Sequence, residues 1–106
     1  MTRRPINVAL AGAGAFGLKH LEGIAHIPGV QVVSLVDPDL SKARQVAEQY
    51  AIAHVATSLQ DSLARPQVDA VILCTPTQLH ASQARQCLLA GKHVQVEIPL
   101  ADRLED

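Results

Sequence analysis

Apolar positions along the chain alternate between two periods. Ile6-Asn-Val-Ala-Leu-Ala11 is a short apolar run stopped by Gly12, and it predicts a strand. From Ala15 to Ile27 apolar or small residues recur at Gly17, Leu21, Ile24 and Ala25, a helical stripe that Pro28-Gly29 ends. Val30-Gln-Val-Val-Ser-Leu-Val36 predicts a second strand, rich in β-branched residues. Asp37-Pro38-Asp39 breaks it, and Leu40, Ala43, Val46, Ala47 and Tyr50 mark one face of a second helix. A brief extended segment over Ala53 to Val55 comes next. Thr57 and Gln60 then stand at capping-box spacing, which predicts a short helix capped by Thr57 and ended before Pro66. Val68 to Cys74 is the most hydrophobic strand. Thr75-Pro76-Thr77 turns the chain, and Thr77 stands where it can cap a helix running to Ala90, with Gly91 as its stop. His93 to Glu97 is the last strand, closed by Pro99.

Strands that read as near-continuous apolar runs, separated by helices, predict a parallel sheet covered on both faces. The fold class is therefore α/β, a doubly wound parallel sheet of the Rossmann type. Such sheets usually have six strands in the order 3-2-1-4-5-6, and five are counted here. Leu100 to Asp106 reads as the first turn of a further helix. Residues 1–106 are accordingly expected to be one domain, cut before its last strand, from a longer protein.

Composition narrows the function classes. The chain has 106 residues, 48% hydrophobic and 18% charged, an ordinary globular balance. Nine basic against ten acidic side chains leave a formal charge of -1, so neither nucleic acid nor an anionic membrane is an expected partner. No apolar run approaches the roughly 18 residues of a membrane-spanning helix. The basic start, Met1-Thr-Arg-Arg-Pro5, is followed by an apolar stretch too short and Gly-broken for a signal peptide, and a cytoplasmic protein is expected. Cys74 and Cys87, with no CxxC or Cys/His spacing, predict two reduced packing residues and no metal site. Phe16 and Tyr50 are the only aromatic residues, which leaves no stacking platform for bases.

The chemistry gathers at the ends of the strands. Gly12-Ala13-Gly14-Ala15-Phe16-Gly17 is a GxGxxG loop between the first strand and the first helix. Gly12 permits a sharp turn out of the strand, and Gly17 permits close packing of the helix. Gly14 leaves room for a pyrophosphate at the helix N-terminus, where unpaired N–H groups and the dipole favour an anion. Asp37, at the end of the second strand, is placed to accept hydrogen bonds from an adenosine ribose. Its charge, with that of Asp39, repels a 2′-phosphate and favours NAD over NADP, while Lys42 and Arg44 act the other way. Thr75, Pro76 and Thr77 follow the fourth strand across the topological switch, and His80 can face the same crevice. No carboxylate pair, metal cluster or Ser/His/Asp set assembles from the spacing.

These residues carry a family likeness. Gly12-Ala-Gly-Ala-Phe-Gly-Leu-Lys-His20, Cys74-Thr-Pro-Thr-Gln-Leu-His80 and Ala90-Gly-Lys-His-Val-Gln-Val-Glu-Ile-Pro-Leu100 resemble, in order, three motifs of the Gfo/Idh/MocA family. The resemblance implies a nicotinamide-dependent oxidoreductase of sugars, cyclitols and related compounds. It places His20 in a GxGxxGxxH pattern and Thr75, Pro76, Thr77 and His80 beside the nicotinamide half. Glu97 and Pro99 match the outer positions of a Glu-Lys-Pro motif whose lysine helps to position substrate; here Ile98 stands in its place and has no donor. His93 to Asp102 and Ile72 to Thr77 are similar to a branch of the family with isoleucine at this position. That branch oxidises a cyclic hemiacetal in aromatic ring cleavage, usually with NADP, so NAD and NADP both remain candidates. The catalytic residues are expected in a second domain outside these residues. The expected partner is a small-molecule substrate, and the longer protein is expected to be a homo-oligomer. The alternative is a dinucleotide-sensing domain without catalysis, which Ile98 favours. A methyltransferase also has a glycine-rich first loop, but that leaves the Thr75-Pro76-Thr77 turn unexplained.

Overall fold

The computed structural model describes residues 5–24, 26–75 and 77–96, without the side chains of Ala15, Phe16 and Thr77. Ala25, Pro76, Glu97, Ile98 and Pro99 therefore lie outside the described residues, as does the helical start expected after Leu100. Among the described residues five strands alternate with four helices: β1 (Ile6–Ala11), α1 (Ala15–Ile24), β2 (Val30–Val36), α2 (Leu40–Tyr50), β3 (His54–Ala56), α3 (Leu59–Leu63), β4 (Ala70–Leu73), α4 (His80–Leu89) and β5 (His93–Val96). A 3-10 turn over Thr77–Leu79 leads into α4.

All pairings are parallel, and the sheet order is β3-β2-β1-β4-β5. This is the doubly wound order, with β1 central and the chain reversing direction across the sheet between β1 and β4. Two apolar layers follow from the period of two along each strand. Leu10 and Leu35 point to one face, against Leu21 of α1 and Ala43, Val46 and Ala47 of α2. Ala9, Ala11, Val36, Val71 and Leu73 point to the other, against Leu59 of α3 and Cys87 of α4. Cys87 is fully buried there, and burial pushes its thiol pKa up. The second layer also holds Ser34 and Ser62, both fully buried. Their hydroxyls bond each other, and Ser34 Oγ also lies 2.7 Å from His54 Nδ1.

The order of elements is the one the hydrophobic pattern predicts, but β3 runs over His54–Ala56 rather than Ala53 to Val55, β4 covers Ala70–Leu73 rather than Val68 to Cys74, and three helix boundaries differ. The α1 helix stops at Ile24 rather than Ile27. Short turns replace its last residues: His26 N bonds Gly23 O and Ile27 N bonds Ile24 O. Pro28 disfavours helical backbone at Ile27, and Ile27, half exposed, gains little from staying on the stripe. The cap of α3 is Ser58, whose Oγ accepts from Gln60 N at 3.2 Å, and not Thr57. Burying Leu59 starts the helix one residue late, so Gln60 is too close to its cap to close a capping box. Finally, α4 begins at His80 with no side-chain cap, and Thr77 opens the 3-10 turn instead of capping the helix.

Candidate dinucleotide site

The carboxyl ends of β1, β2 and β4 open on one cleft of about 410 Å³, and its lining includes Gly12, Gly14, Asp37, Lys42 and Thr75. Its floor is the glycine loop, where the three glycines do different work. Gly12 has φ +104°, and a Cβ there would lie 2.6 Å from the Cys74 carbonyl oxygen. It thus carries the chain out of β1 beneath the end of β4, with its N–H bonded to Val36 O at 2.7 Å. Gly17 lies in the first turn of α1, where a Cβ would come within 2.0 Å of the Gly12 carbonyl oxygen. At Gly17 the helix therefore packs directly on the loop's backbone, with Leu10 of β1 also within 4 Å. Gly14 is the contrast: a Cβ built there meets no atom within 4 Å. Its surface stays open beside the start of α1, where the first four N–H groups of a helix have no intrahelical partner. The helix ladder begins with Leu18 N bonding Gly14 O at 2.9 Å.

Asp37 ties this loop to β2. Its Oδ2 accepts from Ala13 N at 2.8 Å and its Oδ1 from Asp39 N at 2.9 Å. The Ala13 N–H, one of the loop's expected ligand contacts, is thus already taken by Asp37. Each carboxylate oxygen has a second acceptor site, so the group can bond the loop and a ribose hydroxyl together. Asp39 caps α2 through Lys42 N at 3.1 Å. Asp37 and Lys42 are the two charged side chains lining the cleft among the described residues.

Across the cleft stand Cys74 and Thr75. The Thr75 hydroxyl donates to Gln83 Oε1 of α4. His80 is buried, and its Nε2 lies 2.7 Å from the Thr75 carbonyl oxygen. A carbonyl only accepts, so Nε2 carries the proton and His80 holds the turn's backbone rather than facing the cleft. Ala15, Phe16 and Thr77 are placed by their backbones at the start of α1 and of the 3-10 turn. Pro76 and Glu97 lie outside the described residues. His20, half-buried on α1, lines a separate depression with Ile6, Ile24 and Val94.

Sequence reasoning did not single out Thr57, Leu59, Leu79 and Gln83, nor Val36, Pro38 and Cys74 beside the positions it named. Thr57 was within reach, because it follows β3, and ligands gather at the carboxyl ends of such strands. Gln83 has no local signal. Its place depends on α4 lying over the end of β4.

A parallel doubly wound sheet with an open glycine at its first β-α corner, and an acid at the next strand end, defines a dinucleotide-binding Rossmann domain. Residues 6–106 match the family described as Gfo/Idh/MocA, oxidoreductase family, NAD-binding Rossmann fold. The chain belongs to that family and comprises its NAD-binding domain. It is 57% identical, over 101 residues, to 4-carboxy-2-hydroxymuconate-6-semialdehyde dehydrogenase of Sphingobium sp., covering 95% of this chain and 32% of that protein. Its fold is similar to the WlbA dehydrogenase of Chromobacterium violaceum, solved with NADH and UDP-GlcNAcA, at 33% identity and TM-score 0.85, covering 93% of this chain and 29% of that one. A 3-ketoreductase from Actinomadura kijaniata, solved as a variant with TDP-benzene and NADP, matches at 30% identity and TM-score 0.84, with 92% and 31% covered. The chain thus spans about a third of the length of these relatives.

Proposed function

We propose that this domain binds the coenzyme of a dehydrogenase that removes hydride from an alcohol or hemiacetal carbon. The observation that carries the reading is the open space over Gly14 beside the N-terminus of α1. A diphosphate fits there on backbone amides, with adenosine toward Asp37 and nicotinamide toward Thr75. When bound, the nicotinamide supplies the hydride acceptor; this chain orients it. The substrate class we favour is the cyclic hemiacetal of 4-carboxy-2-hydroxymuconate-6-semialdehyde, a product of aromatic ring cleavage. Its support is the 57% identity to the Sphingobium dehydrogenase of that name. Asp37 favours NAD over NADP by charge, and the nearby Lys42 lessens the margin. The setting we infer is cytoplasmic, in a homo-oligomeric full-length protein.

A second reading rests on Ile98. Without an amine at that position the domain can serve as a dinucleotide sensor that does no chemistry. Two measurements test both readings. Calorimetric titration of the chain with NAD and NADP should give binding, tighter for NAD, and no binding of either overturns the proposal. Hemiacetal oxidation by the full-length protein should be measurable; coenzyme binding without turnover on any hemiacetal or alcohol decides for the sensor.

A further inference from the structure

The wall of the cleft formed by β4 and α4 holds a side-chain arrangement that the proposed function does not use. His80 and Gln83 are three residues apart on α4, which puts them on one helix face. Both reach Thr75, His80 through its carbonyl oxygen and Gln83 through its hydroxyl. The Gln83 Oε1 can only accept, so the Thr75 hydroxyl proton is committed to it. Thr75 Oγ1 then has lone pairs alone to offer anything else. Thr75 and Gln83 both line the cleft, so a ligand arriving there meets an acceptor and not a donor.

We propose that Gln83 is a positioning residue for the nicotinamide half of the coenzyme. By taking the Thr75 proton it makes Thr75 an acceptor that selects a hydrogen-bond donor on the ligand. This rests on the dinucleotide reading: with adenosine toward Asp37 and diphosphate over Gly14, the end of β4 receives the remaining half. That half has two kinds of donor, the ribose hydroxyls and the carboxamide N–H groups.

The test is calorimetry on the full chain with ADP, ADP-ribose, NAD and deamido-NAD, which has a carboxylate in place of the carboxamide. Gln83→Leu removes the acceptor and leaves the Thr75 hydroxyl free to rotate, so its lone pairs are no longer held ready for a donor. NAD should bind about threefold to tenfold more weakly to it, the worth of one hydrogen bond, while ADP binds as before. Gln83→Glu keeps an acceptor and should hold NAD affinity within about threefold of the parent. A parallel loss of ADP-ribose identifies the ribose hydroxyl as the donor. An unaffected ADP-ribose, with deamido-NAD already weak on the parent, identifies the carboxamide. Should Gln83→Leu fail to fold, Thr75→Val with Gln83 in place has the same expected result, NAD weakened and ADP unchanged. Equal losses for ADP and NAD, or no loss for NAD, overturn the positioning role while the dinucleotide reading stands. A parent chain that binds neither NAD nor ADP overturns both.

Discussion

The two walls of the cleft are built by different means. On the side of β1 and β2 the main chain does the work: Gly12 and Gly17 bring backbone against backbone, and Asp37 bonds two backbone amides. On the side of β4 and α4 the work falls to side chains, with His80 and Gln83 reaching back to Thr75. A wall of main chain tolerates almost no added atom, whereas a wall of side chains can lose one contact and keep its shape. The first therefore suits a group common to every dinucleotide, the diphosphate. The second, on the proposed reading, suits the nicotinamide half.

Gly17→Ala puts the sharpest strain on this contrast. Its Cβ would sit 2.0 Å from the Gly12 carbonyl oxygen, which is backbone and not the end of a flexible side chain that could yield. Loss of about 3 kcal/mol or more in urea unfolding is expected. A stability within about 1 kcal/mol of the parent would mean that the first wall is not rigid. Gly14→Val is the converse. Its side chain enters open space, so unfolding should change by no more than about 1 kcal/mol. Coenzyme affinity should fall by about a hundredfold or more, because the branched side chain occupies the diphosphate's place. Unchanged affinity would remove Gly14 from the phosphate site.

The same contrast explains what could be read from the sequence. The order of elements, the parallel doubly wound class and the glycine loop were legible, because apolar runs such as Ile6 to Ala11 end at Gly or Pro and each reports on its own backbone. Gly12, Gly14 and Asp37 were placed for the same reason. The cap of α3 was not, since the choice between Thr57 and Ser58 turns on whether Leu59 is buried, a tertiary matter. Nor was the role of His80, which spacing allowed to face the crevice and the fold assigns to the Thr75 carbonyl. Gln83 passed unnoticed because its partner lies eight residues away, across a turn.

His80→Phe examines the second wall more gently. The ring stays buried and the bond to the Thr75 carbonyl goes, leaving that oxygen one partner short. About 1 kcal/mol of stability should be lost. Affinity for ADP should be unchanged and affinity for NAD reduced a few-fold, since Thr75 is no longer held from both sides. An equal loss for both ligands would show that the two walls are mechanically one.

Acid should act on the pairing of β3 with β2 beneath the cleft, and more weakly than any of these substitutions. His54 opens β3 opposite Ser34 of β2, with Ser34 Oγ 2.7 Å from its Nδ1. Burial lowers its pKa from the ordinary 6.5, the Arg65 charge lowers it further, and Asp61 partly opposes both. In the unfolded chain His54 thus takes up a proton at a higher pH than in the folded one. Between the two values the unfolded state holds more protons, so stability rises with pH. The contribution is whole above pH 6.5 and is lost as pH falls through the lowered folded value. The neutral ring suits the hydroxyl chain, because Ser62 can donate to Ser34 and Ser34 to Nδ1. A proton on Nδ1 reverses that direction and leaves the buried Ser62 hydroxyl to find another acceptor. Urea unfolding of the parent and of His54→Gln between pH 7.5 and 5 checks this. The parent should lose more stability on acidification than the variant, and identical slopes would show that His54 is not the group responsible.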